Sequence, residues 1–208
     1  MIGILDLNIC NLTSVSGAVY NLGFDYNIIN INEKKKLNEI SHLIIPGVGS
    51  FSNISEEYFK SENFETGLNE FVKKGKPLLG ICLGMQFLAT EGYENIRSKG
   101  LNFIDATVDL MNTDNTNNYN LPHVGWNEIN ILKDHKIFER IKNNSNFYFV
   151  HSYQTILKNN DYLFAETKYL SSFPSIVIRD NVVGFQFHPE KSSTNGLKIL
   201  ENFCNWSI

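Results

Sequence analysis

The order of short apolar runs in the first half of the chain constrains its fold more than any other feature. These runs alternate with segments whose apolar residues recur at helical spacing. The apolar runs are residues 2–7, 24–31, 42–45 and 78–81, and the helical segments are 12–22, 64–74 and 83–90. Continuous apolar runs are typical of strands covered on both faces, and their alternation with helices is typical of parallel sheets. The sequence therefore predicts an α/β fold with an open, mostly parallel sheet and helices on both faces.

The second half of the chain is richer in predicted strands. Polar stretches separate six strand-like segments, at residues 103–110, 126–132, 147–150, 162–168, 175–179 and 182–187, and a closing helix is predicted at 197–203. Short connections favour hairpins, so added antiparallel strands are expected here. Residues 112–120, rich in Asn and Thr, are interpreted as a surface loop. The sequence contains no repeat and no linker-like stretch, and we predict one domain over residues 1–208.

Composition and charge exclude several functional classes. The chain has 18 basic and 22 acidic residues and a net charge of -4, without a basic stripe, so no nucleic-acid partner is expected. No segment approaches the roughly 20 apolar residues of a membrane span, so no membrane association is expected. Cys10, Cys82 and Cys204 follow no metal spacing and cannot all pair with one another. We expect reduced thiols, no metal and a cytoplasmic location.

The most informative motif is Gly80-Ile81-Cys82-Leu83-Gly84, between a predicted strand and a predicted helix. Glycines two positions before and after a central residue permit a tight turn that exposes a nucleophile at the carboxyl edge of the sheet. The start of the helix favours a thiolate at Cys82, and the Leu83 N–H points to where an oxyanion would form. The alternative is a buried structural cysteine with incidental glycines. The flanking strand and helix favour the nucleophile.

A thiol nucleophile needs a histidine and a group that orients it, and both follow the last predicted strand. His188 precedes Pro189, which constrains the chain, and Glu190, whose carboxylate can accept a hydrogen bond from one ring nitrogen. The other ring nitrogen is then free to face Cys82. A lone histidine is more often structural, but its combination with the cysteine turn favours catalysis. Because 106 positions separate Cys82 from His188, their contact is an expectation.

A second loop at the same predicted sheet edge is Pro46-Gly47-Val48-Gly49-Ser50-Phe51. Two glycines one residue apart let backbone N–H groups approach a ligand, or let a peptide flip. The alternative is a simple turn between a strand and a helix. Ligands bind at the carboxyl ends of strands in open α/β sheets, which favours a second oxyanion donor here.

These motifs together resemble the class I, triad-type, glutamine amidotransferase family. The resemblance extends over residues 46–51, 80–86, 123–127, 148–153 and 186–192. The segments 80–86 and 188–190 are typical of the whole class. The PGVGSF, HVGWN and YFVHSY segments are typical of the glutaminase subunits of imidazole glycerol phosphate synthase. The resemblance implies a flavodoxin-like fold and the hydrolysis of L-glutamine to glutamate and ammonia.

The resemblance implies a role for each matching residue. Cys82 would attack the glutamine side-chain amide, His188 would transfer the proton, and Glu190 would hold the imidazole. Leu83, Val48 and Gly49 would form the oxyanion hole. The residues expected to hold the substrate are Gly47, Gly49, Gln86, Glu94, His151, Ser152 and Tyr153. For Gln86 the alternative is a local bond in the helix, and for Ser152 and Tyr153 it is packing at a strand end. No organic cofactor is implied.

The resemblance also implies a partner subunit. In the family, ammonia passes within a heterodimer to a (β/α)8-barrel cyclase, which closes an imidazole ring in histidine biosynthesis. Asn11 and Lys191 are the residues expected at this interface. The first loop departs from the family pattern Asp-Tyr-Gly-x-Gly-Asn-Leu, since residues 6–12 read Asp-Leu-Asn-Ile-Cys-Asn-Leu.

The altered first loop leaves other functions open. One is a paralogous subunit that supplies ammonia to another synthase, such as one making an acetamidino sugar of a surface glycan. A catalytically idle regulatory subunit and a free-standing γ-glutamyl hydrolase are further alternatives. The complete set of Cys82, His188 and Glu190 argues against the idle subunit. Segments 123–127 and 148–153 argue against the free-standing hydrolase.

Overall fold

Strands and helices alternate in the first half of the chain, and strands dominate the second half. The computed structural model describes residues 1–8, 12–112 and 120–207. The α-helices within these residues are α1 (Leu12–Asn21), α2 (Phe51–Tyr58), α3 (Glu62–Lys73), α4 (Leu83–Phe87) and α5 (Ser193–Asn205). The strands in the same residues are β1 (Ile2–Asp6), β2 (Tyr26–Asn30), β3 (His42–Gly47), β4 (Leu78–Cys82), β5 (Glu91–Gly92), β6 (Ser98–Lys99), β7 (Ala106–Leu110), β8 (His123–Glu128), β9 (Asn130–Ile131), β10 (Asn146–His151), β11 (Tyr153–Leu157), β12 (Leu163–Lys168), β13 (Ser172–Arg179) and β14 (Val182–Phe185). None of the helices described is long and apolar enough to cross a bilayer.

An eight-stranded sheet forms the centre of the fold, in the order β2-β1-β3-β4-β14-β13-β12-β9. The strands β2, β1, β3, β4 and β14 are parallel to their neighbours in this group. The strands β13, β12 and β9 continue the sheet with antiparallel pairing. The parallel part has the strand order of flavodoxin-like sheets. The prediction of a mostly parallel sheet with antiparallel additions is confirmed.

Helices cover both faces of this sheet. Side chains alternate in direction along each strand, so each strand contributes apolar residues to a core on either face. Ile4 of β1 belongs to the core that contains Val15 of α1 and Phe203 of α5. The next residue, Leu5, belongs to the core that contains Leu68 of α3. The predicted helices on both faces are therefore also confirmed.

Two smaller antiparallel assemblies extend the structure beside the central sheet. Strand β10 pairs with β8, in a register that places His151 opposite His123. A four-stranded sheet has the order β11-β7-β5-β6. Only Ser152 separates β10 from β11, so the chain passes from one assembly to the other at residues 151–153.

Helix α2 and strand β11 are absent from the sequence-based prediction. The side chain of Ser50 caps α2 by accepting a hydrogen bond from the Asn53 N–H at 3.4 Å. The helix buries Phe51, Ile54 and Tyr58, which are spaced as one helical face, but polar residues between them weaken the pattern. Strand β11 is difficult to predict from sequence because only one residue separates it from β10, although it belongs to another sheet and pairs with β7.

Several predicted elements have different bounds in the structure. The helix expected at 83–90 is only α4, and the Thr90 N–H bonds to the Ala106 carbonyl instead of continuing it. The strand expected at 126–132 is divided between β8 and β9, because these join different sheets. The strand expected at 103–110 starts at Ala106. Most of the predicted 112–120 loop, residues 113–119, lies outside the described residues.

Candidate active site

Cys82 lies in a strained turn between β4 and α4. Its φ of 55° and ψ of -110° are in the left-handed half of conformational space, which a residue with a side chain rarely adopts. The turn is tight because Gly84 has no side chain. A Cβ atom there would collide with the carbonyl oxygen of Ile45 on β3. This geometry is that of a nucleophile elbow, as the motif predicts.

His188 reaches Cys82 because β14 is the parallel neighbour of β4 in the sheet. Phe185 pairs with Ile81, so the chain beyond β14 emerges at the same edge as the elbow. The Nδ1 atom of His188 is 2.8 Å from Oε1 of Glu190, and both side chains are almost fully buried. Within the described residues, the Nε2 atom of His188 is buried without a hydrogen-bond partner of good geometry. This ring nitrogen is therefore the one available to the Cys82 sulfur.

The pKa of His188 is raised to about 10. Burial alone would lower the pKa of this ring, but interactions with Cys82 and Glu190 outweigh burial. Both partners carry negative charge when ionised, so they stabilise the imidazolium. The arrangement therefore favours a protonated His188 beside the sulfur at neutral pH.

The Cys82 sulfur has two further polar contacts. Its Sγ atom is 3.7 Å from the Val150 carbonyl oxygen, and the Nε2 amide of Gln186 donates to the sulfur at 3.8 Å. Gln186 is fully buried and also accepts a hydrogen bond from Gln86 Nε2 at 3.1 Å. Gln186 has no predicted role, although it is two positions before His188. That proximity is the signal that could have identified it.

A cavity of about 250 Å³ opens above the sulfur. This volume is near the lower end for ligand pockets and suits a metabolite of amino-acid size. The lining residues are Val48, Gly49, Cys82, Leu83, Gln86, Glu94, Val150, His151, Ser152, Tyr153 and His188. The cavity thus brings together ten of the fourteen residues predicted for the site and its interface.

The loop between β3 and α2 forms one wall of this cavity. Gly49 has a φ of +100°, and Val48 beside it is exposed. Glu94 contacts the far end of the loop, since its Oε2 accepts a hydrogen bond from the Phe51 N–H at 2.6 Å. The Glu94 carboxylate therefore lies at the start of α2, where negative charge is favoured.

Four of the residues predicted for the site or its interface are not among those that line the cavity. Gly47 packs against Leu83 and Gly84, where a Cβ atom would come within 2.7 Å of the Gly84 nitrogen. Glu190 lies behind His188 rather than in the cavity wall. Lys191 is exposed on the segment that follows. Asn11 lies outside the described residues.

The other thiols and the histidines do not form a metal site in the described part of the chain. No group of three or more His, Cys, Asp or Glu side chains there is arranged to hold a metal ion. Cys204 is buried in the core, and burial raises the pKa of its thiol to about 12. A buried, protonated thiol is a poor nucleophile, so Cys204 is not a candidate for the reactive thiol.

Comparisons with known proteins agree with this geometry. The family profile described as Glutamine amidotransferase class-I matches residues 4–206. The imidazole glycerol phosphate synthase subunit HisH of Pelagibacter ubique is 44% identical over 206 residues, covering 97% of this chain and 98% of the relative. The subunit of the same description from Methanocaldococcus jannaschii is 44% identical over 203 residues, covering 98% of each chain.

Solved structures share the fold at low sequence identity. The structure of PurLQS from Thermotoga maritima has a TM-score of 0.75 at 14% identity and covers 98% of this chain and 97% of that one. A crystal structure of a glutamine amidotransferase has a TM-score of 0.70 at 19% identity, covering 97% of this chain and 96% of that one. The solved structures thus agree in fold, and the family profile and the sequence relatives show that the chain belongs to the class-I glutamine amidotransferase family, as a HisH-type member.

Proposed function

We propose that this chain is the glutaminase subunit of an imidazole glycerol phosphate synthase and hydrolyses L-glutamine to glutamate and ammonia. One observation carries the proposal. The strained Cys82 elbow, the buried His188–Glu190 pair and an amino-acid-sized cavity coincide at the carboxyl edge of a parallel sheet. The full-length similarity to HisH subunits supports the choice of synthase.

The proposed reaction has two stages that use the same residues. The Cys82 sulfur, whose proton is held by the protonated His188, attacks the side-chain amide carbon of glutamine. His188 then returns the proton to the departing nitrogen, ammonia leaves, and a glutamyl thioester remains on Cys82. Water, deprotonated by His188, hydrolyses the thioester to glutamate and restores the thiol. Glu190 keeps the ring oriented through Nδ1, which leaves Nε2 for both proton transfers.

The oxyanion formed in each stage needs donors fixed around the carbonyl carbon. The Leu83 N–H follows the nucleophile directly, and Leu83 lines the cavity. The Val48–Gly49 peptide is the proposed second donor. Gly49 has an open backbone position, with nothing near its absent Cβ, so this peptide can reorient.

The remaining cavity residues are proposed to bind the amino-acid end of glutamine. Both amide hydrogens of Gln86 are already donated, to the Tyr153 carbonyl and to Gln186, so its oxygen is the atom left for the ligand. The Glu94 carboxylate is the negative group suited to the substrate ammonium. The side chains or backbone of His151, Ser152 and Tyr153 form the opposite wall, with Gly47 and Gly49 supporting the loop.

We propose that a (β/α)8-barrel cyclase subunit docks on the outer face of the β8–β10 pair. This outer face consists of Val124 and Trp126 on β8 and, directly opposite, Val150 and Tyr148 on β10. Val124 and Trp126 are 55% and 53% exposed, which is unusual for adjacent large apolar side chains. Val150 belongs both to this face and to the cavity wall, so ammonia released at Cys82 has a short path to a partner here.

Other parts of the proposal follow from the same chemistry. A nucleophilic thiol needs a reducing compartment, which supports a cytoplasmic location. The two cores lie on opposite faces of the same sheet, which supports one catalytic domain. Lys191 and Asn11 stay candidate interface residues.

The direct test is glutamate release from glutamine by the chain alone and with the cyclase of the same organism and its ribonucleotide substrate. Strong stimulation by the loaded cyclase, abolished by Cys82→Ala, is the expected result. No stimulation, together with normal labelling of Cys82 by a glutamine-like electrophile, would instead indicate a paralogous subunit that serves another synthase. Absence of labelling would contradict the glutaminase itself.

A further inference from the structure

His151 of the cavity wall lies buried beside a second histidine behind it, His123, and the proposed reaction uses neither ring as an acid or base. His123 of β8 and His151 of β10 face each other across the strand pair. The Nδ1 atom of His123 is 3.2 Å from the Nε2 atom of His151. The His123 ring also stacks on Tyr169 and Phe149, with ring centroids 4.0 Å and 5.0 Å apart.

The surrounding hydrogen bonds determine which ring nitrogens carry protons. His151 Nδ1 is 2.8 Å from the Tyr153 carbonyl, which can only accept, so Nδ1 of His151 must carry the proton. In a neutral ring, Nε2 of His151 is then an acceptor, and Nδ1 of His123 must be the donor to it. The Nε2 atom of His123 is left as the acceptor for the Asn127 amide at 3.4 Å. The chain of bonds is consistent only when both rings have Nδ1–H.

The rings of His123 and His151 are both neutral near pH 7. Burial lowers the pKa of His123 to about 4. Burial lowers the pKa of His151 to about 3; the bond to Tyr153 opposes this change, and the nearby His123 and His188 add to it. Neutral rings in one tautomer form a directional link rather than a pair of charges.

This link ends on the wall of the cavity. The Tyr153 carbonyl accepts from His151 and also from Gln86 Nε2 at 2.9 Å. The bond from His151 spans Ser152, so it holds residues 151–153 at the crossing from β10 to β11. Gln86 in turn contacts Gln186, which donates to the Cys82 sulfur.

We propose that His123 is a positioning residue for substrate binding: its Nδ1–H holds His151 in a single tautomer, and His151 then fixes the 151–153 wall and the Gln86 amide against which glutamine binds. The proposal rests on the proposed glutaminase function. It assigns to His123 an effect on substrate affinity rather than on the chemistry of Cys82, because the link contacts the wall directly but reaches the Cys82 sulfur only through Gln86 and Gln186, whose own contact to the sulfur is long, at 3.8 Å.

Two substitutions separate the hydrogen bond from the packing of the ring. Asparagine places an amide nitrogen at the same side-chain position as Nδ1, so His123→Asn keeps a donor but loses the stacking. His123→Phe keeps a ring between Tyr169 and Phe149 but removes the donor and leaves His151 Nε2 without one. We expect His123→Phe to raise the KM for glutamine roughly tenfold, as for loss of a buried hydrogen bond, and to change kcat less than about twofold. His123→Asn should keep a KM near that of the wild type.

The assay uses the complex with the cyclase and its ribonucleotide, and His135→Phe is the matched control. His135 also contacts two aromatic rings, Phe164 and Trp206, but lies away from the cavity. Alkylation of Cys82 by iodoacetamide should be equally fast in all three variants. A high KM in His123→Asn with a normal KM in His123→Phe would overturn the proposal, because packing would then be the cause.

A spectroscopic measurement tests the link without any turnover. Long-range proton–nitrogen NMR on histidine-labelled protein should show both rings neutral with the proton on Nδ1 between about pH 5 and 8. A proton on Nε2 of either ring would overturn the proposal, even if a variant failed to fold. Wild-type protein without glutaminase activity but with this NMR signature would count against the proposed function and not against the link.

Discussion

Several residues at the site have conformations or unpaired polar atoms that are energetically unfavourable in themselves. Cys82 has a positive φ, and within the described residues the Nε2 atom of His188 and the Oε2 atom of Glu190 are buried without hydrogen-bond partners. A buried polar atom without a partner costs about 1–3 kcal/mol, and a strained backbone costs a similar amount. Such costs are typical of sites that keep atoms free for a ligand. They explain why the surrounding network, including Gln186 and Ser192, is so fully bonded.

The raised pKa of His188 makes stability depend on pH in a defined direction. A group whose pKa rises on folding, here from 6.5 to about 10, stabilises the fold fully below its unfolded pKa. That contribution is lost as the pH rises through the folded pKa. Glu190→Gln keeps an acceptor for Nδ1 but removes the charge. We therefore expect the variant to be less stable than the wild type by about 1–3 kcal/mol near pH 6, with a gap that shrinks towards pH 10.

Urea unfolding at several pH values measures this gap. Glu139→Gln is the control, because the Glu139 side chain is 69% exposed and its ion pair with Arg140 is long, at 4.0 Å. That variant should match the wild type throughout. If the free energy of unfolding of Glu190→Gln differed from that of the wild type by the same amount at pH 6 and near pH 10, the assignment of a protonated His188 would be contradicted.

At the scale of elements, the site depends on how closely α4 lies against the sheet. A Cβ atom on Gly84 would overlap the β3 backbone, and Gly47, at the end of β3, packs against the same turn. The short α4 can therefore start directly at the carboxyl end of β4. The parallel pairing of β14 with β4 then places His188 beside it.

Gly84→Ala should damage the fold and the elbow together. The added methyl group meets backbone atoms, which cannot move aside as the end of a flexible side chain can. We therefore expect the free energy of unfolding to fall by about 1–3 kcal/mol and the alkylation of Cys82 to become slower. Gly17→Ala is the matched control, since nothing lies within 4 Å of the absent Cβ atom in helix α1. It should stabilise the protein by roughly 0.5–1 kcal/mol. Similar stabilities for the two variants, by thermal or urea unfolding, would show that the turn relaxes.

At the scale of the whole molecule, the outer face of the β8–β10 pair connects the cavity to the surface. Tyr148 of this face is tied to the catalytic segment, since its N–H donates to Ser192 and its carbonyl accepts from the His188 N–H at 2.9 Å. A partner seated on this face would therefore contact strands that are bonded to both His188 and the cavity wall.

Trp126→Ala tests this docking face. Trp126 is half exposed, so its loss should change the stability of the isolated chain by no more than about 0.5 kcal/mol. Binding to the cyclase should weaken at least roughly tenfold, as for an aromatic anchor, with normal labelling of Cys82 in the isolated chain. Ile156→Ala, at a residue 45% exposed on the four-stranded sheet, is the control and should bind normally. Unchanged binding by Trp126→Ala, measured by titration calorimetry, would place the partner elsewhere.

The candidate site could be predicted from sequence to the extent that its signals are local. The elbow needs glycines at fixed offsets from Cys82, and Glu190 is two positions from His188, so both features can be identified along the chain. Gln186 and His123 could not be assigned roles, because their partners are Cys82 and His151, which are distant in sequence. Helix α2 was obscured for a different reason, since polar residues interrupt its buried face.

The sequence by itself determined the strand–helix alternation, the turn chemistry and the choice of Cys82 as the proposed nucleophile. These depend on side-chain period, glycine spacing and residue type over a few positions. The tertiary structure alone decided that β14 lies beside β4, that two distant histidines share one hydrogen bond, and that the His188 pKa rises while those of His123 and His151 fall. The physical reason is that strand order, burial and the distance between charges are properties of the packed chain.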